Sequence, residues 1–291
     1  MTDSAYELVE LANGSWSVRS REVRETFHPV VGPEAEARSL YVEQLRLPER
    51  MAAATAGFVL WDVGLGSAAN VLTVLRASRA VTGSLRVISF DHTLGPLRFG
   101  LNHSARLPYF EGYETAVQQL LDQGKVDFMN HQQPVQWEVL GGDFPTRMAE
   151  FDRVIEPPAA ILFDAYSPAR NAAMWTLPLF CNLFRRLDGS VPCNLATYSR
   201  STMLRVTLLL AGFWVGAGEA TGVKEETTLA ATDPRLIPRL LGAEWLTRVR
   251  RSTSAEPLLH ATYQQGPLSD ENRQRLEAHP QFQGGSLGIK D

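Results

Sequence analysis

Phe58-Val-Leu-Trp-Asp62-Val-Gly64-Leu-Gly66-Ser-Ala-Ala-Asn70 decides the fold. An apolar run long enough for one buried strand meets two glycines, and helical periodicity follows from Ala68 to Arg79. Glycine at 64 and 66 lets the backbone turn tightly and approach a ligand without Cβ interference, and the helix start beyond it offers free N–H groups. The same alternation then repeats. Strand patterns occur at Leu85 to Phe90, Trp137 to Leu140, Ala159 to Asp164 and Cys193 to Tyr198, with helical patterns near Tyr113 to Gln123, Leu179 to Leu187 and Thr202 to Ala211. Strands separated by helices require right-handed crossovers and a sheet covered on both faces. Phe213 to Gly216 and Thr228 to Thr232 close it as a reversed hairpin edge. The expected fold is α/β, a Rossmann-like seven-stranded, mostly parallel sheet.

Outside this frame, Tyr6 to Leu11 and Trp16 to Ser20 alternate around Asn13-Gly14 and predict a hairpin, and Glu34 to Leu45 has helical spacing. Beyond Asp233 the chain turns to Pro, Arg and Ser, with one more helix after a Ser269 cap and an expected frayed end over Gly284 to Gly288.

Composition narrows the function. The 291 residues carry a formal net charge of −4, so a polyanionic partner would need a local basic patch. Cys181 and Cys193 are the two cysteines and form no CxxC pair, and the six histidines, among them His28 and His92, have no ligand spacing. No metal is expected. The longest apolar stretch, Leu208 to Gly216, is too short to cross a bilayer, and no secretory leader pattern opens the sequence, so a cytoplasmic protein is expected.

Four places carry candidate chemistry. The Gly64/Gly66 loop lies in the crevice where such sheets bind nucleotides, although it also reads as a plain βα turn. Asp91-His92 ends the second strand, where a carboxylate accepts hydrogen bonds from ribose hydroxyls or caps the next helix. Asp143, after Gly141-Gly142, is placed to meet an adenine amine or to serve an ordinary turn. Asp164 ends the fourth strand, where this topology places the reacting group of the cofactor. It is a candidate to orient or deprotonate an amine, with Tyr166 as a pocket wall, and otherwise a helix cap. Spacing does not separate a dinucleotide from S-adenosylmethionine. Ala69, standing where GxGxxG has its third glycine, counts against a dehydrogenase.

The residues resemble the methyltransferase domain of the MnmC type, in its stand-alone form without the FAD-dependent oxidase half. The resemblance runs from Asn13 to Thr232. It rests on Asn13-Gly-Ser-Trp-Ser, Glu25-Thr-Phe-His28, Gly32-Pro-Glu-Ala-Glu36, Gly64-Leu-Gly66-Ser-Ala-Ala-Asn70 and Ser89-Phe-Asp91. Gly142-Asp143, Phe163-Asp164-Ala-Tyr166-Ser-Pro168 with Asn171 and Met174-Trp175, and Leu195-Ala-Thr-Tyr-Ser199 continue it. It implies S-adenosyl-L-methionine held by Gly64, Gly66, Asp91, His92, Asp143 and Asp164, a substrate pocket at Asp164, Glu36 facing the amino-acid end of the cofactor and Asn70 as a cofactor residue near the loop. It also implies N-methylation of the aminomethyl group on the wobble uridine of transfer RNA.

Two departures stand out. Ser67-Ala68-Ala69 stands where the family has a third small-residue position in a Gly-Thr-Gly-type loop. Gly222-Val223-Lys224-Glu225-Glu226 stands where the family carries a Gly-Arg-Lys-Arg-type run, removing cations that phosphates require. Arg235, Arg239, Arg248, Arg250 and Arg251 are candidates to replace them. The organisation expected is residues 1–50 packed on a methyltransferase domain at 51–233, with an extension at 234–291. The competing readings are a methyltransferase for a small-molecule or protein amine, and a non-catalytic nucleotide-binding module.

Overall fold

A computed structural model describes residues 5–151, 154–220 and 225–283. The chain opens with β1 (Tyr6–Glu10), β2 (Trp16–Ser20) and β3 (Glu25–Thr26), an antiparallel three-stranded sheet of its own. Helix α1 (Pro33–Ala37) continues as a π-helical turn over Arg38–Glu43, and α2 (Leu47–Ala53) follows. The central unit then runs β4 (Phe58–Val63), α3 (Ala69–Ala77), β5 (Leu85–Asp91), α4 (Gly95–Asn102), α5 (Glu114–Gln123), β6 (Lys125–Asn130), β7 (Gln133–Gly141), α6 (Phe144–Ala149) and β8 (Ala160–Phe163). It ends with α7 (Leu177–Arg185), β9 (Asn194–Thr197), α8 (Thr202–Ala211), β10 (Trp214–Gly218) and β11 (Thr227–Ala231), before α9 (Ala243–Arg251) and α10 (Asp270–Glu277).

The large sheet has the order β10-β11-β9-β8-β4-β5-β7-β6. It is Rossmann-like as expected, with one strand more than the seven read from the sequence. The extra strand is β6, an antiparallel edge paired to β7 through a tight turn at His131. Chain order reverses at β4, which has β5 on one side and β8 on the other, so the ligand crevice of this fold class opens at the C-terminal ends of these strands.

Period-2 alternation sorts β4 onto the two faces. Leu60 packs with the cluster of α2, α3 and α5, whereas Trp61 and Val63 pack with that of α7 and α8. Trp61 is fully buried, edge-on to Phe90 at 5.1 Å, and its Nε1 donates to the Glu156 carbonyl. The C-terminal segment joins this second cluster through Trp245, Val249, Leu258 and Leu276. The Ser269 cap of α10 is present, accepting from Asn272 N. The expected frayed end, residues 284–288, lies outside the described residues.

Candidate functional site

Gly64 adopts φ 96°, and a Cβ there would stand 2.6 Å from the Asp164 carbonyl oxygen. Only glycine lets the end of β4 lie this close to the end of β8. Gly66, at φ 52°, turns under the Phe27 ring, 3.3 Å from where its Cβ would be. Ala68, within the Ser67-Ala68-Ala69 departure, caps α3 in the left-handed region at φ 63°.

This loop is tied to the next strand by a carboxylate. Asp91 accepts from Gly66 N at 3.0 Å through Oδ2 and from Thr93 N at 3.1 Å through Oδ1. Ionised, it has about four lone-pair sites, so these bonds leave capacity for ribose hydroxyls. The exposed His92 ring lies with Nδ1 3.2 Å from Asp91 Oδ1, and its hydrogen bond to that carboxylate raises the imidazole above its ordinary value.

Asp143 caps the next helix, a role outside both the adenine and the turn readings. Its Oδ2 accepts from Thr146 N at 2.9 Å and from Thr146 Oγ1 at 2.6 Å, starting α6 at the cavity edge. Asp164 does not: α7 is capped by Thr176, and the Asp164 carboxylate is left facing the cavity. Its Oδ2 accepts from Asn70 Nδ2 at 2.8 Å. The Tyr166 ring lies 5.8 Å from Phe27, and burial pushes its phenol well above the usual range, with Ser20 partly opposing.

All nine residues singled out in the sequence therefore line one cavity of about 650 Å³: Glu36, Gly64, Gly66, Asn70, Asp91, His92, Asp143, Asp164 and Tyr166. This lies within the range of small-molecule sites. The sequence reading missed the roof. Val23 to Pro29, on and beside β3, lines the cavity over Gly66 and Tyr166. Glu25 anchors it by accepting from Ser167 Oγ at 2.6 Å. His28 sits beneath this roof between two carboxylates. Met174 also lines the cavity, whereas Trp175 is fully buried and donates to the Tyr166 carbonyl.

Behind the wall lies Asp62, fully buried on β4. Burial pushes its carboxyl up to about 7, against the lowering bond from Ser89 and with Asp164 and Asp91 adding to the rise. Its Oδ1 has no partner.

The acidic departure near the last strands has a structural reason. Arg205, 1% exposed, donates to Glu226 Oε2 at 2.9 Å and also to Thr227 O and Thr228 Oγ1. Burial pushes the Glu226 carboxyl up, but the bond and charge of Arg205 outweigh it and the net direction is down. Glu225 pairs with Arg200 at 3.2 Å. Lys224 lies outside the described residues. Of the candidate replacements, Arg235 is held by Asp233 and Arg250 by Glu277, while Arg239 donates to the Gly218 carbonyl. Arg248, Arg250 and Arg251 are exposed on the last turn of α9.

A family model described as S-adenosyl-L-methionine-dependent methyltransferase matches residues 110–233. The tRNA 5-methylaminomethyl-2-thiouridine biosynthesis bifunctional protein MnmC of Pseudomonas fluorescens (strain Pf0-1) is 29% identical over 214 residues, 66% of this chain and 29% of that protein. Its counterpart in strain ATCC BAA-477 / NRRL B-23932 / Pf-5 is 28% identical over 212 residues, 66% of this chain and 30% of that protein. The crystal structure of MnmC2 from Aquifex aeolicus superposes with a TM-score of 0.68 at 23% identity, covering 94% of this chain and 84% of that one. The chain is thus similar to S-adenosyl-L-methionine-dependent methyltransferases over residues 110–233 and to the MnmC proteins over 66% of its length. The chain spans under a third of the length of the bifunctional relatives.

The residues of the cavity fit S-adenosyl-L-methionine. Asn70, 3% exposed, has a buried Oδ1 with no partner on the cavity wall beside Glu36 and Asp164, an acceptor suited to the cofactor's ammonium group. Among the described residues no three potential metal ligands gather, and no helix is long and apolar enough to cross a membrane.

Proposed function

We propose that the domain N-methylates the aminomethyl group of the transfer-RNA wobble uridine, in the cytoplasm. What carries the reading is the convergence of Asp91, the Asn70 and Glu36 pair, and Asp164 on one cavity at the sheet's switch point. S-adenosyl-L-methionine, when bound, would supply a sulfonium methyl carbon electrophilic toward a nitrogen lone pair.

The protein's own groups do the rest. Asp91 receives the ribose hydroxyls and at the same time fixes the Gly66 loop. Gly142, at φ 116°, and Asp143 border the adenine position. Glu36 and Asn70 Oδ1 receive the amino-acid ammonium. Asp164 orients the acceptor nitrogen and draws off a proton, because an alkyl amine is protonated near neutral pH and has no lone pair until it loses one. Tyr166 and Phe27 wall the pocket and exclude water.

The relatives named above support transfer RNA as the substrate. The pairing of Glu226 with the buried Arg205 and of the exposed Glu225 with Arg200 supports that reading, since each carboxylate has a cation beside it. The cations for RNA are then those exposed on α9. Mass spectrometry of wobble uridines from a deletion strain tests this directly: aminomethyl uridine should accumulate and disappear when the purified protein and S-adenosylmethionine are added. Unchanged uridines would move the acceptor to a small-molecule or protein amine.

A further inference from the structure

His28 stands in the left-handed region at φ 49°, a conformation that L-residues avoid and that persists only where surrounding structure enforces it. The enforcement places its ring, with 9% of the side chain exposed, between two carboxylates. Nδ1 is 3.9 Å from Glu36 Oε2, and Nε2 is 3.7 Å from Asp164 Oδ2. The oxygen it faces on Asp164 is also the one that accepts from Asn70.

We propose that His28 is the proton exit of the site, taking up through Asp164 the proton that the acceptor ammonium must lose. This rests on the reading of the acceptor as an amine. A carboxylate is a far weaker base than an alkyl amine, so a proton passed to Asp164 alone returns to the nitrogen. Imidazole narrows that gap, because histidine is the side chain that exchanges its proton near neutral pH.

The ring stands 3.9 Å from Glu36 Oε2 and 3.7 Å from Asp164 Oδ2, so a ring proton and a cationic ligand compete for the same two carboxylates. With a cationic ligand on those carboxylates, the ring enters the step as a base. The ammonium N–H bond then breaks, Nε2–H forms by way of Asp164, and the positive charge passes from the nitrogen to the ring. Water at the cavity mouth finally removes the proton. The buried phenols of Tyr41 and Tyr198, which interact with the same carboxylates, are pushed well above their usual range by burial and stay protonated. Asp62 lies behind Asp164 and is the competing neutral-range group.

The test compares ligands that differ by one positive charge. Calorimetry of S-adenosylmethionine and S-adenosylhomocysteine binding at about pH 6.5, in buffers of different ionisation enthalpy, counts protons released. The wild-type protein should release a fraction of a proton with the cationic ligand and less with the neutral one. His28→Gln, and His28→Asn, whose side chain tolerates left-handed backbone, should abolish the difference. Asp62→Asn should retain it. With aminomethyl transfer RNA, His28→Gln should lower kcat on the order of tenfold to a hundredfold, leave KM within about twofold, and remove the acid limb of the kcat profile. A proton count unchanged in both His28 variants, lost in Asp62→Asn, or absent in the wild type overturns the proposal. Failure of the wild type to methylate the RNA would sink the acceptor reading instead, while the calorimetric count still decides the role of His28.

Discussion

Asn70 Nδ2 donates to Asp164 Oδ2 at 2.8 Å, joining the first residues of α3 to the end of β8 across 94 positions of sequence. In the proposed function, one side chain thus spans the cofactor and acceptor halves of the cavity. Its unpartnered Oδ1 is the acceptor left for a ligand. Asn70→Ala should weaken S-adenosylmethionine about tenfold and also lower turnover, since a lost bond to a charged group is worth roughly 1.5–3 kcal/mol. A titration with unchanged affinity would return Asn70 to a structural role.

Asp164→Asn keeps an acceptor for Asn70 but no longer takes a proton. The melting temperature should hold nearly constant while kcat falls on the order of a hundredfold, as for loss of a general base. Full activity would leave the carboxylate as a spacer only.

Asp91 holds the Gly66 loop and, in the proposed function, the ribose as well, so Asp91→Ala should weaken the cofactor by at least about tenfold. Asp91→Asn, able to accept with reduced strength, should fall between it and the wild type. Equal affinity in all three by calorimetry would remove the ribose assignment.

Asp62 gives a pH dependence whose sign is fixed by its environment. Its folded carboxyl is pushed up to about 7, above the unfolded value, so its contribution to stability declines as pH rises from the unfolded value to about 7. The decline is roughly 1.4 kcal/mol per pH unit at its steepest. Asp62→Asn should therefore gain on the wild type in melting temperature between about pH 4 and pH 7 and hold that gain above. Parallel melting curves across this range would show that the carboxyl is not displaced.

Glu226→Gln should destabilise the protein by about 1–3 kcal/mol, less than for a fully buried pair because the Glu226 side chain is 35% exposed. Denaturant titration measures this. Replacing Arg248, Arg250 and Arg251 together should instead spare stability and flatten the salt dependence of filter-bound transfer RNA. A slope unchanged in the triple variant would move the RNA surface away from α9.

The central sheet was legible because period-2 and period-3.6 patterns alternate cleanly from Phe58 onward. Helix α4 was not: Gly95, Pro96 and Gly100 interrupt its pattern, and packing of Leu97 and Phe99 overrides the weak propensity. Helix α9 hides its two buried residues, Trp245 and Val249, among arginines. Strand β6 did carry a signal, with Val126 and Phe128 alternating against Lys125 and Asp127, and went unread beside the stronger β7. The cavity floor could be read from glycine and carboxylate positions at strand ends. The roof could not, since no local pattern says that Glu25 reaches Ser167. His28, a lone histidine, carries no spacing signal at all.

That reach of 142 residues from Glu25 to Ser167 also sets an order of events in biosynthesis. The roof leaves the ribosome first, yet its anchor emerges only with the segment after β8. At about 5–20 residues per second the wait is on the order of ten seconds. During that interval Phe27 and its neighbours lack the Ser167 anchor that holds them over the site. Nascent chains arrested before Ser167 would expose this strap to protease, and chains arrested well beyond it would not.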